Sequence, residues 1–464
     1  MAFNRLNTKE KAELRTMVAE DRFSTGESNL DLHSRDMSRH RPSRPEAVIW
    51  PLHREEVSMV LSYCNRRLIP VTAWGAGTSL EGNPIPMQGG VVLDFSRMNR
   101  IVDIRTDDFQ ADVEPGVVYQ DLNHKLRHSG LFFPPDPGAR ATVGGMIGNN
   151  ASGTRTVRYG STRDHVLRMS VVLANGELIE VGTRASKSSS GYDLVHLFIG
   201  SEGTLGVVVE ATLRLVGLPE EFASAVATFQ TVEAAAKAVF KIRRSGVDPA
   251  ALELLAPECL ALINKVTTLN LNLSPTLWIE LHGPTKNQLS EAMKIVREIC
   301  EQEGSQHLRP GIERGERDRL LEARHRLGEM IEQNHPGASR ITIDVAVPIS
   351  AYPEMIAFGR REVAKVEVAS AYIFGHAGDG NIHLTIVTEE GGPQQDQIDE
   401  VNHRVVRKAL SLGGTATGEH GVGIGKAVFM PGEHGSSLAW MQEVKKLFDP
   451  NGILNPGKMF PNRQ

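Results

Sequence analysis

The chain has 464 residues, room for two or three domains at about 150 residues each. With 40% hydrophobic and 23% charged residues it has the composition of a soluble globular protein, and its net charge of −5 excludes a general attraction to nucleic acid or anionic lipid. Its three cysteines, Cys64, Cys259 and Cys300, lie too far apart for a disulfide framework, a thiolate zinc site or an iron–sulfur ligand set, so a reducing cytoplasm fits.

The opening MAFNRLNTKEKAELRTMVAED lacks an apolar signal-peptide core, and no run of about 18 apolar residues follows to span a membrane. A peripheral place at the inner face of a membrane stays open. A helix is expected over 11–20, then a basic, solvated linker, RDMSRHRPSRP, at 35–45. From 46 to 216 short β-like runs (AVIWP, IPVTAW, GVVLDF, FQADVEP, MSVVLANGELIEVG, LGVVVEATLRLV) alternate with helical stretches at 55–67 and 119–129. Beyond 220 the texture changes. Helices expected at 231–245, 286–303, 316–333 and 396–411 alternate with strands near 276–282, 341–347, 370–376 and 382–387, which predicts a separate α+β domain.

Glycine clusters punctuate this order. Residues 69–82, IPVTAWGAGTSLEG, run from a strand into a loop whose free N–H groups could wrap an anion or simply turn the chain. Gly75, Gly77 and Gly82 miss the Rossmann spacing, and residues 421–426, GVGIGK, are not a phosphate-binding P-loop. Two further loops, PPDPGARATVGGMIGNNASG at 134–153 and IGSEGTLGVV at 199–208, favour a long ligand with a pyrophosphate, contacted mostly by main chain.

Residues 374–386 read FGHAGDGNIHLTI. A two-residue type I′ turn centred on Asp379 and Gly380 would set His376 directly across from His383, with Phe374 and Thr385 on the same face. Two imidazoles so placed could share a metal ion, or could simply pack in a tight hairpin.

The order of PVTAWGAGTSLEGN, FPPDPGARATVGGMIGNNASGTRTVRYG, GSEGTLGVV, FGHAGDGNIH, TGEHGVG and LNPGK resembles the FAD-linked 2-hydroxyacid dehydrogenases over residues 40–460. Within that family it is most similar to the D-lactate dehydrogenases that reduce cytochrome or quinone, with the glycolate oxidase flavin subunit and D-2-hydroxyglutarate dehydrogenase close by. The resemblance implies an α+β fold: a vanillyl-alcohol-oxidase (PCMH-type) FAD-binding domain and a C-terminal ferredoxin-like substrate domain. The implied partition is 1–45 for the N-terminal helix and linker, 46–220 for the flavin domain, 221–415 for the substrate domain, and 416–464 for a tail returning to the flavin.

Carried over by motif, Gly75, Ala76, Gly77, Thr78 and Ser79 would wrap the FAD pyrophosphate. Asp136, Thr142, Gly145, Asn149 and Ser152 would line the isoalloxazine and ribityl side. Glu202, Gly203, Val207 and Val208 would hold the adenosine and ribityl parts, and Asn455 would close the site. Relatives with covalent flavin carry a histidine near Thr78; a hydroxyl cannot make that bond, so noncovalent FAD is expected.

The resemblance also implies that His376, His383 and Glu419 bind zinc or another divalent ion (manganese or cobalt), that His420 is the base, and that Arg324 anchors the carboxylate, with Thr385 in reach of substrate. Such an ion would hold carboxylate and hydroxyl together and acidify the hydroxyl. Dehydrogenases for D-2-hydroxyglutarate carry a lysine where Thr342 stands and a hydroxyl residue where Gly328 stands. Their absence favours a small monocarboxylate, D-lactate first. Electrons must then pass to a quinone, a cytochrome, oxygen or an iron–sulfur partner subunit, and a homodimer stays open. The competing readings are a glycolate oxidase flavin subunit, a flavin-free zinc hydrolase and a non-catalytic cofactor-binding module.

Overall fold

The computed structural model describes residues 3–310, 314–388 and 395–461. Two larger sheets and a two-stranded one, Leu131–Phe132 with Val216–Gly217, form the N-terminal half. The first runs in the spatial order Phe23–Ser24, Ala47–Ile49, Val91–Asp94, Val71–Trp74, with parallel pairing among the last three. Parallel strands are covered on both faces, which is why AVI and VVL read as unbroken apolar runs. The second sheet is antiparallel, in the order Ile101–Arg105, Gln110–Val113, Val207–Arg214, Val166–Val172, Leu178–Gly182.

The segment expected as a solvated linker is instead pinned. Asp36 Oδ2 accepts the Gly82 N–H at 2.9 Å, and Met37 N–H donates to the Ser79 carbonyl at 3.0 Å. Asp36 and the Met37 amide serve the first glycine loop, while Arg35, Arg39, Arg41 and Arg44 stay exposed to water. The chain's far end returns to the same sheet, where Val71 N–H donates to Ile453 and Asn455 N–H donates to Val71, both at 2.8 Å.

The C-terminal half holds one seven-stranded sheet, all its pairs antiparallel: Ser305–Pro310, Glu221–Phe229, Thr276–Gly283, Pro249–Leu255, Ser370–Gly375, Asn381–Thr388, Ser339–Ala346. Alternation along each strand sorts its two faces. Ile343, Val345, Ile373, Ile382, Leu384 and Ile386 meet the helices Val232–Arg244, Lys286–Gln302, Tyr352–Val363 and Gln395–Ser411 in one apolar core. Their neighbours in sequence, Asp344, His383 and Thr385, point to the opposite face, where a helix expected over 316–333 is found as two, Arg314–His325 and Leu327–Asn334, broken at Arg326. Trp278, Tyr372 and Phe374 pack under those helices. The sheet's two parts join through only two residue pairs, Leu254 with Gly375 and Leu255 with Phe374. No described helix is long and apolar enough to cross a membrane.

Candidate active site

The hairpin differs from expectation. Phe374, not His376, pairs with His383, because the turn spans four residues: a 3-10 turn over Ala377–Asp379, then Gly380 at φ 73°. Only one of the two central residues is left-handed, so the type I′ register does not form. A side chain at Gly380 would meet the Val347 carbonyl at 2.1 Å, which fixes glycine there. The rings still converge, diagonally and edge to face, with centroids 5.4 Å apart.

Glu419 closes this pair. His376 Nε2 and His383 Nε2 stand 3.2 and 3.1 Å from the same Glu419 Oε1. Burial opposes charge on His376, yet Glu253 and Glu419 hold its imidazole up at about 10 in the metal-free chain. Burial likewise raises Glu419, but His376 and His383 hold it well below the usual carboxylate range. Two imidazole nitrogens aimed at one carboxylate oxygen make a three-ligand donor set.

A second triplet, Asp344, His383 and His420, also lies within 4.8 Å. Asp344 is already spent, however. Its Oδ2 accepts the consecutive N–H groups of Gly418, Glu419 and His420 at 2.7, 2.9 and 3.1 Å, and the Thr417 hydroxyl at 3.0 Å. Its Oδ1 accepts from Asn381 at 2.7 Å. Burial would raise this carboxyl, but His420, His383 and the loop's N–H donors bring it down to about 2. Asp344 is a scaffold that shapes the Glu419–His420 loop. His420 stacks on His383 at 5.2 Å and 12°, and burial pushes its imidazole down, toward the neutral form that accepts a proton.

Arg324 ends its helix buried, its guanidinium 4.9 Å above the Phe374 ring. Its Nε lies 2.8 Å from Glu253 Oε2, an ion pair off the hydrogen-bond axis, and its Nη2 has no hydrogen-bond partner among the described residues. An unfilled, buried guanidinium fork suits a carboxylate. Thr385 shares the His383 face and its hydroxyl lies 3.1 Å from that of Thr342. Gly328 is exposed, and nearby Arg340 is engaged with the Gly328 carbonyl at 3.4 Å and Glu332 at 3.3 Å.

Beside the ligand cluster runs a cleft of about 1340 Å³, counting the part open to solvent. Of the residues expected around the cofactor, Gly75, Ala76, Gly77, Thr78, Ser79, Thr142, Gly145, Asn149, Ser152, Glu202, Gly203, Val207, Val208 and Asn455 line it, together with Glu419 and His420. Close approach explains Gly75, where a Cβ would lie 2.4 Å from Thr142 Oγ1. Glu202, left-handed at φ 53°, accepts from Val422 and Gly423 N–H and so fastens the tail loop to the cleft. Asn83, which the sequence did not single out, also lines it, its buried Oδ1 without a partner among the described residues. Asp136 does not reach the cleft wall. Its carboxylate is turned to the Tyr119 hydroxyl at 2.7 Å and to Thr154 at 3.4 Å.

Glu253 and Asp344 also escaped the motifs. Each is a lone carboxylate inside an apolar strand (PAALELL and SRITIDVA), a costly placement that signals a buried partner.

Comparison with known proteins places the chain in a family. The profile described as "FAD linked oxidases, C-terminal domain" matches residues 218–459, and "FAD binding domain" matches residues 45–182. The chain is 37% identical to "Probable D-lactate dehydrogenase, mitochondrial" of Danio rerio, covering 96% of this chain and 90% of the relative. It is 36% identical to "Glycolate oxidase subunit GlcD" of Bacillus subtilis, covering 97% and 96%. The fold matches 4-ethylphenol oxidase from Gulosibacter chungangensis at a TM-score of 0.79 and 18% identity, each chain fully covered.

Proposed function

As the chain belongs to the FAD-linked oxidase family, a group of flavin oxidoreductases, we propose that it oxidises a small D-2-hydroxy acid, D-lactate first, with FAD and a divalent metal. One observation carries this reading: Glu419, a member of the ligand cluster, and its neighbour His420 both stand on the wall of the cleft. FAD, held without a covalent bond, supplies the hydride acceptor. A divalent ion held by His376, His383 and Glu419 supplies Lewis acidity to the substrate hydroxyl, and two imidazoles with a carboxylate suit zinc, manganese or cobalt.

The chain's own groups do the rest. Arg324 grips the α-carboxylate with its unfilled fork. His420, kept neutral by burial, takes the hydroxyl proton as the C–H bond breaks. Arg340, which lines a cavity with Thr342, is engaged by Glu332 and the Gly328 carbonyl, which supports a monocarboxylate. A flavin-free hydrolase does not fit a chain with a FAD-binding domain. The second reading, a glycolate oxidase flavin subunit, is favoured by the Bacillus subtilis relative.

Anaerobic bleaching of the flavin against D-lactate, L-lactate, glycolate and D-2-hydroxyglutarate, with and without chelator, tests the proposal. D-lactate should bleach fastest and chelator should abolish it. Faster bleaching by glycolate supports the second reading; no bleaching by any of the four sinks both. Adding quinone or cytochrome c after reduction then identifies the acceptor.

A further inference from the structure

Glu253 sits in a strand whose seven residues are all buried, and its side chain is 1% exposed. A carboxylate taken that far from water persists only when its charge is matched. Its two oxygens serve two different residues. Oε1 accepts from His376 Nδ1 at 2.8 Å, and Oε2 stands 2.8 Å from Arg324 Nε. The arrangement follows from the join of the sheet's two parts: extending the Leu254–Gly375 register by one residue sets Glu253 opposite His376. The Arg314–His325 helix then lowers Arg324 onto the same carboxylate from above.

We propose that Glu253 is a positioning residue that ties the metal ligand His376 to the carboxylate anchor Arg324. This rests on the roles given above to those two residues. With Nδ1–H held by Glu253, the lone pair of His376 Nε2 is fixed toward Glu419 and His383, the outer-shell arrangement that orients metal-bound histidines. The same carboxylate draws Arg324 Nε inward, while Phe374 supports the guanidinium face and Nη2 stays open. His383 has a separate support, Asp344 at 3.6 Å, which contacts no arginine among the described residues. Glu253 therefore contacts both the proposed metal ligand His376 and the proposed anchor Arg324.

The test uses the full chain with FAD bound, in the Glu253→Gln variant, which keeps shape and an accepting oxygen but loses the charge. Zinc affinity is read by competition with a chromophoric chelator. Binding of oxalate at saturating zinc is read from the perturbed flavin spectrum. Zinc should bind about 10–100-fold more weakly, and oxalate about tenfold more weakly, with FAD content unchanged. In an Arg324→Ala background Glu253→Gln should still weaken zinc but no longer affect oxalate. A merely structural glutamate would not divide its effects in this way. Should the Gln chain lose FAD, Glu253→Asp, which keeps the charge at shorter reach, must weaken zinc and oxalate together. Wild-type zinc affinity in a FAD-loaded variant overturns the proposal, as does an oxalate effect that persists without Arg324. A wild-type chain that binds no zinc overturns the ligand assignment of His376 and this inference with it.

Discussion

Ser152 donates its hydroxyl to Glu419 Oε2 at 2.8 Å, across 267 residues of sequence. Asn149 repeats the contact with the His420 carbonyl at 3.2 Å. Two residues of the second glycine-rich loop are thus hydrogen-bonded directly to the loop that carries Glu419 and His420.

Replacing His376, His383 or Glu419 by Ala should remove the metal and abolish flavin bleaching while FAD stays bound, because most of the cleft is built from other segments. Metal content and the flavin-to-protein ratio check this. Metal uptake should also strengthen by about tenfold per pH unit from pH 6 to 8, since a metal must displace the proton that His376 holds up to about 10. Full-rate reduction by a metal-free preparation would exclude the chelate.

His420→Ala and Arg324→Ala should fail differently. A positioned base is worth about 10²–10⁴-fold in rate, so His420→Ala should bind substrate but reduce its flavin slowly. Arg324→Ala should raise the substrate concentration needed, with a smaller fall in limiting rate. Rapid mixing separates the two, with metal content measured because His420 adjoins Glu419. A wild-type limiting rate in metal-loaded His420→Ala would transfer the role of base to another group.

Acid precipitation should release all the flavin, since Thr78 offers no imidazole for a covalent bond. Colour left in the pellet contradicts this.

Asp379, in the hairpin turn, is pushed by burial from 3.8 to about 7 against the pull of His376, and its Oδ2 has no partner among the described residues. A carboxyl raised on folding contributes stability that is full below its unfolded value and is lost as pH rises through the folded one. The wild-type chain should therefore lose stability between about pH 4 and 7 on this account. Asp379→Asn cannot titrate. Its melting midpoint should match wild type near pH 4 and exceed it at pH 8 by about 2 °C or more. Equal midpoints at pH 8 would show that burial does not raise the Asp379 carboxyl.

The glycine loops were legible because close approach of backbone restricts residue type over several consecutive positions, and the structure gathers these loops around one cleft. Three strands of the seven-stranded sheet were less so. PAALELL is rich in good helix formers, EFASAVATF is built of small residues, and SQHLRP is a polar edge strand; none alternates clearly, and only sheet pairing decides them. Glu253 was hidden for that reason. The hairpin register was misread because Asp379-Gly380 also suits a longer turn, in which glycine alone takes the left-handed conformation. Asp136 was misplaced because a motif gives a residue's neighbourhood but not the direction of its side chain.

The clasp of Asp344 on three successive amides has a consequence for synthesis. The cleft loops up to Val208 and the hairpin are made before residues 417–420, so Asp344 Oδ2 and the Nε2 atoms of His376 and His383 must wait for the partners that this loop brings. The segment that completes the centre is therefore made late, well after the hairpin it joins. A nascent chain halted before Gly418 would carry a complete hairpin and an unsatisfied carboxylate, a species for chaperones to recognise rather than a smaller enzyme.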